Sequence, residues 1–282
     1  MQTDINVKID LAVSGNAQAV EEIVKGIEQR IYGLAIKMLY HHCDAEDATQ
    51  EILIKIVTRL GTFKKKSAFS TWAMKIASNH LLNRKKALGL HRFTFSACED
   101  MIVRNTPDPS SANWSNAEQD LMVQEMRIVC VQGLFQCLDR HHRIAYILSA
   151  TMDVTGPEGA AILDITPANF RKRVSRARKR IQDFLVHNCD LFDQKNPCNC
   201  HVQAVSAVNA DLMDPSELEH LDRSDSRMTK KKAAKRLKEM DVLSRQVALM
   251  RSHPEYLVPG TIVGRIREML DTGTLGLNNT LN

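Results

Sequence analysis

Between Thr166 and Arg180 the chain reads TPANFRKRVSRARKR, with seven Lys or Arg among its last ten positions and an apolar residue at each helical return. No acid occurs from Phe170 to Gln182, so i,i+4 acid–base pairs cannot offset the repulsion of so many like charges. Such a face is favourable when phosphates neutralise it, and the chemistry it suits is polyanion binding. At about 100° per residue, Phe170, Val174, Ala177, Ile181 and Leu185 share one side of the helix. Arg171, Lys172, Ser175, Arg176 and Lys179 share the other. Thr166 offers a capping oxygen, and Pro167 suits the first helical position because its missing N–H has no partner there. Upstream, GPEGAAILDI predicts a short small-residue helix over Pro157–Leu163 and a turn at Asp164-Ile165. That is helix-turn-helix spacing, and aspartate tolerates the left-handed conformation such a turn needs. A basic amphipathic helix alone would suit RNA, an acidic protein or a membrane surface as well. The turn before it favours DNA.

A second chemistry sits directly after this helix. NCDLFDQKNPCNCH places Cys189, Cys198, Cys200 and His201 in a C-x8-C-x-C-H arrangement. Three thiolates suit zinc or copper(I), although adjacent Cys200 and His201 would strain to ligate one ion together, and a redox pair or inert thiols fit the same spacing. No cofactor is otherwise required. His41-His42 and His141-His142 lack an organised carboxylate or cysteine partner, and no Gly-rich phosphate loop occurs, so an enzyme is not expected.

The elements that must carry these residues are helical. From Asn16 to about Ala87 apolar residues recur at helical spacing with no internal proline, one stripe running through Ala19, Ile23, Ile27, Ile31 and Leu34. The pattern lapses between Gly89 and Asn116 into a Pro-, Ser- and Asn-rich stretch, resumes from Ala117 to about His187, and ends with a last helical candidate at Thr261–Leu270. No strand-like alternation is found. The expected fold is all-α: a helical domain over 1–88, a linker over 89–117, a helix-turn-helix domain over 118–187, and a partly helical C-terminal extension over 188–282. The 282 residues carry a net charge of only +5, so charge distribution says more than its sum. Acids collect near Asp44–Glu51, while lysine-rich MTKKKAAKRLKEM lies far downstream. No apolar run is long enough to span a bilayer, the N-terminus lacks signal-peptide order, and seven cysteines argue against a disulfide framework. A cytoplasmic protein with no membrane partner is expected.

Residues Asp44 to Lys86 combine an acidic helix start, DAEDATQE, with F-x-x-x-S-x-F-x-T-W and IASNHLLNRKK. This block resembles the second conserved region of bacterial RNA polymerase sigma factors of the extracytoplasmic-function group. ILDITPANFRKRVSRARKRI similarly resembles that group's fourth region, and the two blocks stand in matching order over roughly residues 10–187. The resemblance implies an alternative sigma factor that binds core RNA polymerase and promoter DNA, with a possible anti-sigma factor as a further partner. It implies core-polymerase docking through Asp47, Gln50 and Glu51. It implies capture of a flipped base and melting at the downstream (−10) element through Phe63, Lys65, Ser67, Phe69, Asn79 and Asn83. It implies reading of the upstream (−35) element through Arg171, Lys172, Ser175 and Arg176. Packing accounts for Phe69 and Trp72 as core anchors equally simply, whereas an asparagine inside a helix costs propensity unless it contacts something. The competing expectation is a stand-alone helix-turn-helix regulator that binds palindromic duplex DNA as a dimer and has no need of the acidic helix.

Overall fold

In the computed structural model of the chain, residues 2–84, 93–104, 114–218, 242–251 and 261–272 are described. They contain twelve α-helices and, apart from two isolated bridges, no strand pairing, as the all-α reading expects. The first block comprises α1 (Gln2–Val13), α2 (Ala17–Leu39), α3 (His42–Thr58) and α4 (Phe69–Asn83). The Asn16 side chain accepts the Ala19 N–H at 2.9 Å and starts α2. α1 was not foreseen, and the reason is plain in its packing: only Ile9 and Ala12 are fully buried, too few to write a stripe.

The stretch expected to be a linker contains α5 (Phe95–Arg104). Thr94 caps it, accepting the Ala97 N–H at 3.0 Å, while Ile102 is buried and the Phe95 ring lies 5.6 Å from that of Phe184. One ten-residue helix among Pro- and Ser-rich neighbours carries too short a period to be read from sequence. The second block follows as α6 (Asn116–Cys137), α7 (Arg140–Thr151), α8 (Gly156–Leu163) and α9 (Pro167–Asn188). Ser115 with Glu118, and Thr155 with Glu158, form reciprocal capping boxes at α6 and α8. Beyond lie α10 (Cys200–Asn209), α11 (Val242–Arg251) and α12 (Thr261–Asp271), the last realising the Thr261–Leu270 expectation. MTKKKAAKRLKEM lies outside the described residues.

The two blocks share one hydrophobic cluster that runs from Ile9 through Phe135 and Tyr146 to Ile266. α2 lies against α1, α3 and α4 and also against α6 and α7, while α4 packs on α8. Polar contacts at helix ends fix this arrangement. From α7, Arg143 donates through Nη1 to the Met38 carbonyl at 2.8 Å, and through Nη2 to the carbonyls of Gln136 and Leu138 at 2.9 Å each. One guanidinium thus satisfies backbone acceptors at the C-terminal ends of both α2 and α6. Burial lowers the Arg143 pKa to about 10, which leaves it charged at neutral pH.

The helix-turn-helix depends on close approach. A Cβ added to Gly159 of α8 would sit 2.2 Å from the Phe170 ring of α9, so only glycine lets the two helices cross here. Asp164 closes α8 in the left-handed region, φ 56 and ψ 45, as its sequence position suggested. Gly159→Ala should lower stability by about 1–3 kcal/mol through overpacking, read from denaturant midpoints. Arg143→Met should cost about 3 kcal/mol or more by leaving buried carbonyls unpaired. It should also loosen the two blocks, seen as faster amide exchange at the ends of α2 and α6.

Candidate nucleic-acid interface

The α9 helix separates its faces as its sequence indicated. Phe170, Val174, Ala177, Ile181 and Leu185 are buried, whereas Arg171, Lys172, Ser175, Arg176 and Lys179 are exposed. The Thr166 hydroxyl accepts the Asn169 N–H at 3.2 Å and starts the helix. The open cationic face therefore sits on a helix whose opposite side is held by the core, which fixes its orientation as a solvated charge run could not. At the turn before it, Asp164 pairs with Lys75 of α4 at 3.0 Å, so the helix-turn-helix touches the first block next to that block's own polar surface.

That second surface is an open cleft of about 380 Å³ between α3 and α4, lined by Glu51, Lys55, Arg59, Ile76, Asn79, His80, Asn83 and Arg84. Asn79 and Asn83 are exposed at its edge. The cleft brings three cations to one carboxylate, a balance suited to phosphate with amides available for base edges. Lys55 and Arg59 were not singled out from the sequence. Lys55 lies on the same helix as the acids and Arg59 caps its C-terminal end, and only the approach of α4 turns them toward the asparagines. His80 links the two walls: Lys55 Nζ lies 2.6 Å from His80 Nδ1, and Glu51 lies 3.5 Å from Nε2. Because an ammonium can only donate, Nδ1 is the acceptor and the ring proton resides on Nε2, toward Glu51. Arg84 reaches back along the cleft to the Asp44 carbonyl at 2.9 Å, tying the end of α4 to the start of α3.

Other expected site residues take different places. Phe63 and Phe69 are buried, and with Trp72 they form a three-ring cluster with centroids 5.4–5.7 Å apart. This is the core-anchor packing that the sequence equally allowed for Phe69 and Trp72, and it places the rings beside the Lys64–Ser67 loop. Lys65 adopts a left-handed φ of 56, and its Nζ is held by both Asp10 carboxylate oxygens at 2.7 and 2.8 Å. Ser67 is exposed in the same loop, its hydroxyl 3.4 Å from the Ala68 carbonyl. On α3, Asp47 and Glu51 are exposed and Gln50 is partly covered.

The structure gathers more thiols than the three noted in sequence. The backbones of Cys189 and Cys198 pair as an isolated β-bridge, and the Cys98 and Cys137 sulfurs lie 3.7 Å apart. Burial is the largest influence on Cys189, pushing it up to about 12, and on Cys198, Cys200 and Cys130, which it also raises. These are neutral thiols at physiological pH, and a metal would have to displace their protons. Among the described residues, no three His, Cys, Asp or Glu side chains are placed to hold a metal ion. No described helix is long and apolar enough to cross a membrane.

Comparison with known proteins bears on the same surfaces. Residues 23–89 match the Sigma-70 region 2 family, a span that contains α3, α4 and their cleft. The chain is 26% identical over 181 residues to a probable RNA polymerase sigma factor RfaY of Xanthomonas campestris, covering 64% of this chain and 44% of that protein. It is 25% identical over 171 residues to the RNA polymerase sigma-H factor of Pseudomonas aeruginosa, covering 61% of this chain and 88% of the relative. It is 29% identical over 177 residues to the ECF RNA polymerase sigma-E factor of Escherichia coli K12, covering 58% and 91%. The chain therefore spans less than half of the first relative's length and most of the other two.

His80 makes the cleft pH-sensitive. Burial first, then the neighbouring Lys55, holds its pKa below the ordinary 6.5. The unfolded chain then takes up a proton that the folded one resists, so stability falls as pH drops below about 6.5 and the loss levels off below the folded pKa. Thermal unfolding of His80→Gln should be flatter than that of the parent between about pH 7 and 5.

Proposed function

We propose that the chain is an extracytoplasmic-function sigma factor that binds core RNA polymerase, recognises the −35 and −10 promoter elements and promotes DNA melting, a reading supported by its similarity to Sigma-70 region 2 and to sigma factors along 171–181 residues. The observation that carries this reading is the pairing of two polar surfaces on one shared hydrophobic core. One is the exposed cationic face of α9 behind a helix-turn-helix, and the other is the cleft with Asn79 and Asn83 inside the region that matches the family.

Each surface suits a different step. Arg171, Lys172, Ser175 and Arg176 project from the first turns of α9, where a helix laid in the major groove presents side chains to base edges. Asn79 and Asn83 offer amide donors and acceptors beside Lys55, Arg59 and Arg84, a suitable environment for an unstacked base with its phosphates. Lys65 would join them by exchanging Asp10 for a phosphate, and Ser67 lies on the same loop. Asp47, Gln50 and Glu51 give α3 the anionic edge that would meet the polymerase. The chemistry of RNA synthesis would belong to the polymerase, and this chain would supply recognition and strand separation.

Reconstitution with core polymerase and run-off transcription from a genomic library tests the proposal. Promoter-specific transcripts are expected. Tight, specific binding to palindromic duplex DNA with no transcripts would instead identify a stand-alone regulator. Within that assay, Arg171→Ala or Arg176→Ala should lose about 1–3 kcal/mol of discrimination at the upstream element for each base contact removed. Equal losses on specific and random DNA would assign these arginines to phosphates only.

A further inference from the structure

The C-terminal helices α11 and α12 lie on opposite blocks, although only nine residues separate them. α11 packs on α7 and α9. Its Gln246 is fully buried and donates through Nε2 to the Tyr146 hydroxyl at 3.0 Å and to the Arg178 carbonyl at 3.1 Å. Leu249 and Met250 are buried beside it, and Arg251 donates through Nε to the Ala150 carbonyl at 3.1 Å. α12 packs instead on α2 and α3. Ile262 and Ile266 are buried against the first block, and the flanking arginines straddle its acidic surface: Arg265 Nη1 donates to Gln50 Oε1 at 2.9 Å and Arg267 pairs with Glu21 at 3.7 Å.

We infer that α12 is a built-in competitor for the α3 surface on which core polymerase docks, held in place by α11 as its anchor. The inference rests on the docking role proposed above for Asp47, Gln50 and Glu51, since α12 ties up the middle one of the three. The two helices differ in how firmly they are held. α11 is secured by a buried amide with two hydrogen bonds, whose loss would strand polar groups in the core. α12 is secured by a narrow apolar stripe and by exposed polar contacts, each of small worth in water. The tether keeps α12 at high effective concentration near α3, yet a partner with a large interface can displace it without disturbing α11. The α9 face carrying Arg171, Lys172, Ser175 and Arg176 stays exposed in the same arrangement, so the restraint falls on polymerase docking and leaves the DNA-reading face open.

Two full-length variants test this. Ile262→Asp with Ile266→Asp removes the stripe, and Arg265→Glu with Arg267→Glu places carboxylates against Glu21 and the α3 acids while altering only exposed side chains. Amide exchange at α12 confirms its release, and binding of core polymerase is measured by fluorescence anisotropy. Each variant is expected to bind core polymerase about three- to tenfold more tightly than the parent, with unchanged affinity for isolated duplex DNA. Equal or weaker polymerase affinity with α12 released overturns the inference, and the exposed-charge variant decides the matter if the core variant fails to fold. Absence of polymerase binding by the parent and both variants would overturn the docking role itself, a separate outcome.

Discussion

The arrangement depends on how helix ends find donors once they are buried. α2 and α6 both finish inside the molecule, and the carbonyls of their last turns have no intrahelical partner. Arg143 meets both ends from α7, and its buried charge makes these bonds stronger than neutral ones would be. The same device recurs nearby. Gln136 donates to the Lys37 carbonyl at 3.3 Å, and Arg140 donates to the Leu82 carbonyl at 3.2 Å. Each of these bonds joins the second block to the end of a helix in the first, so the blocks are registered by backbone satisfaction as well as by apolar contact.

That registration places the cationic face of α9 and the cleft between α3 and α4. α7 supports α9 from beneath, α8 crosses α9 at Gly159, and α8 in turn rests on α4. The Lys75–Asp164 pair is the visible sign of that contact, though an exposed pair of this kind adds little stability by itself. The orientation of the reading helix relative to the cleft therefore follows from small side chains and capped ends. Use of both surfaces on one DNA would require this relation to change, because here the helix-turn-helix leans on the helix that bears Asn79 and Asn83. The narrow α12 contact and the exposed ion pairs are the places where such a change costs least.

The asymmetry of charge along the chain has its counterpart in space. Acids gather on the exposed edge of α3, and cations gather on α9 and along the inner wall of the cleft. His80 stands at the boundary, kept neutral by burial and by Lys55, with its remaining proton toward Glu51. A neutral histidine there avoids adding a fourth cation to the cleft while still bridging its walls. The thiols form a separate feature at the junction of α5, α6 and the end of α9, where burial raises the pKa of Cys130, Cys189, Cys198 and Cys200 while the contact with Cys137 lowers that of Cys98.

By itself the sequence determined the helical class, the two polar faces of α9 and the left-handed turn at Asp164, because these follow from periodicity and capping within a few residues of chain. The exposure of Asn79 and Asn83 was legible for the same reason: a helical asparagine that packs against nothing needs a partner outside. Local pattern could not tell whether Phe63 and Phe69 face inward, since an aromatic in a loop serves as anchor or platform according to what lies beneath it. Nor could it show that Lys55 and Arg59 turn toward the asparagines, that Cys98 and Cys137 meet, that a short helix lies in the expected linker, or that α12 returns to Gln50. Those are contacts between residues far apart in sequence, and only the closing of one core over both blocks brings them within reach.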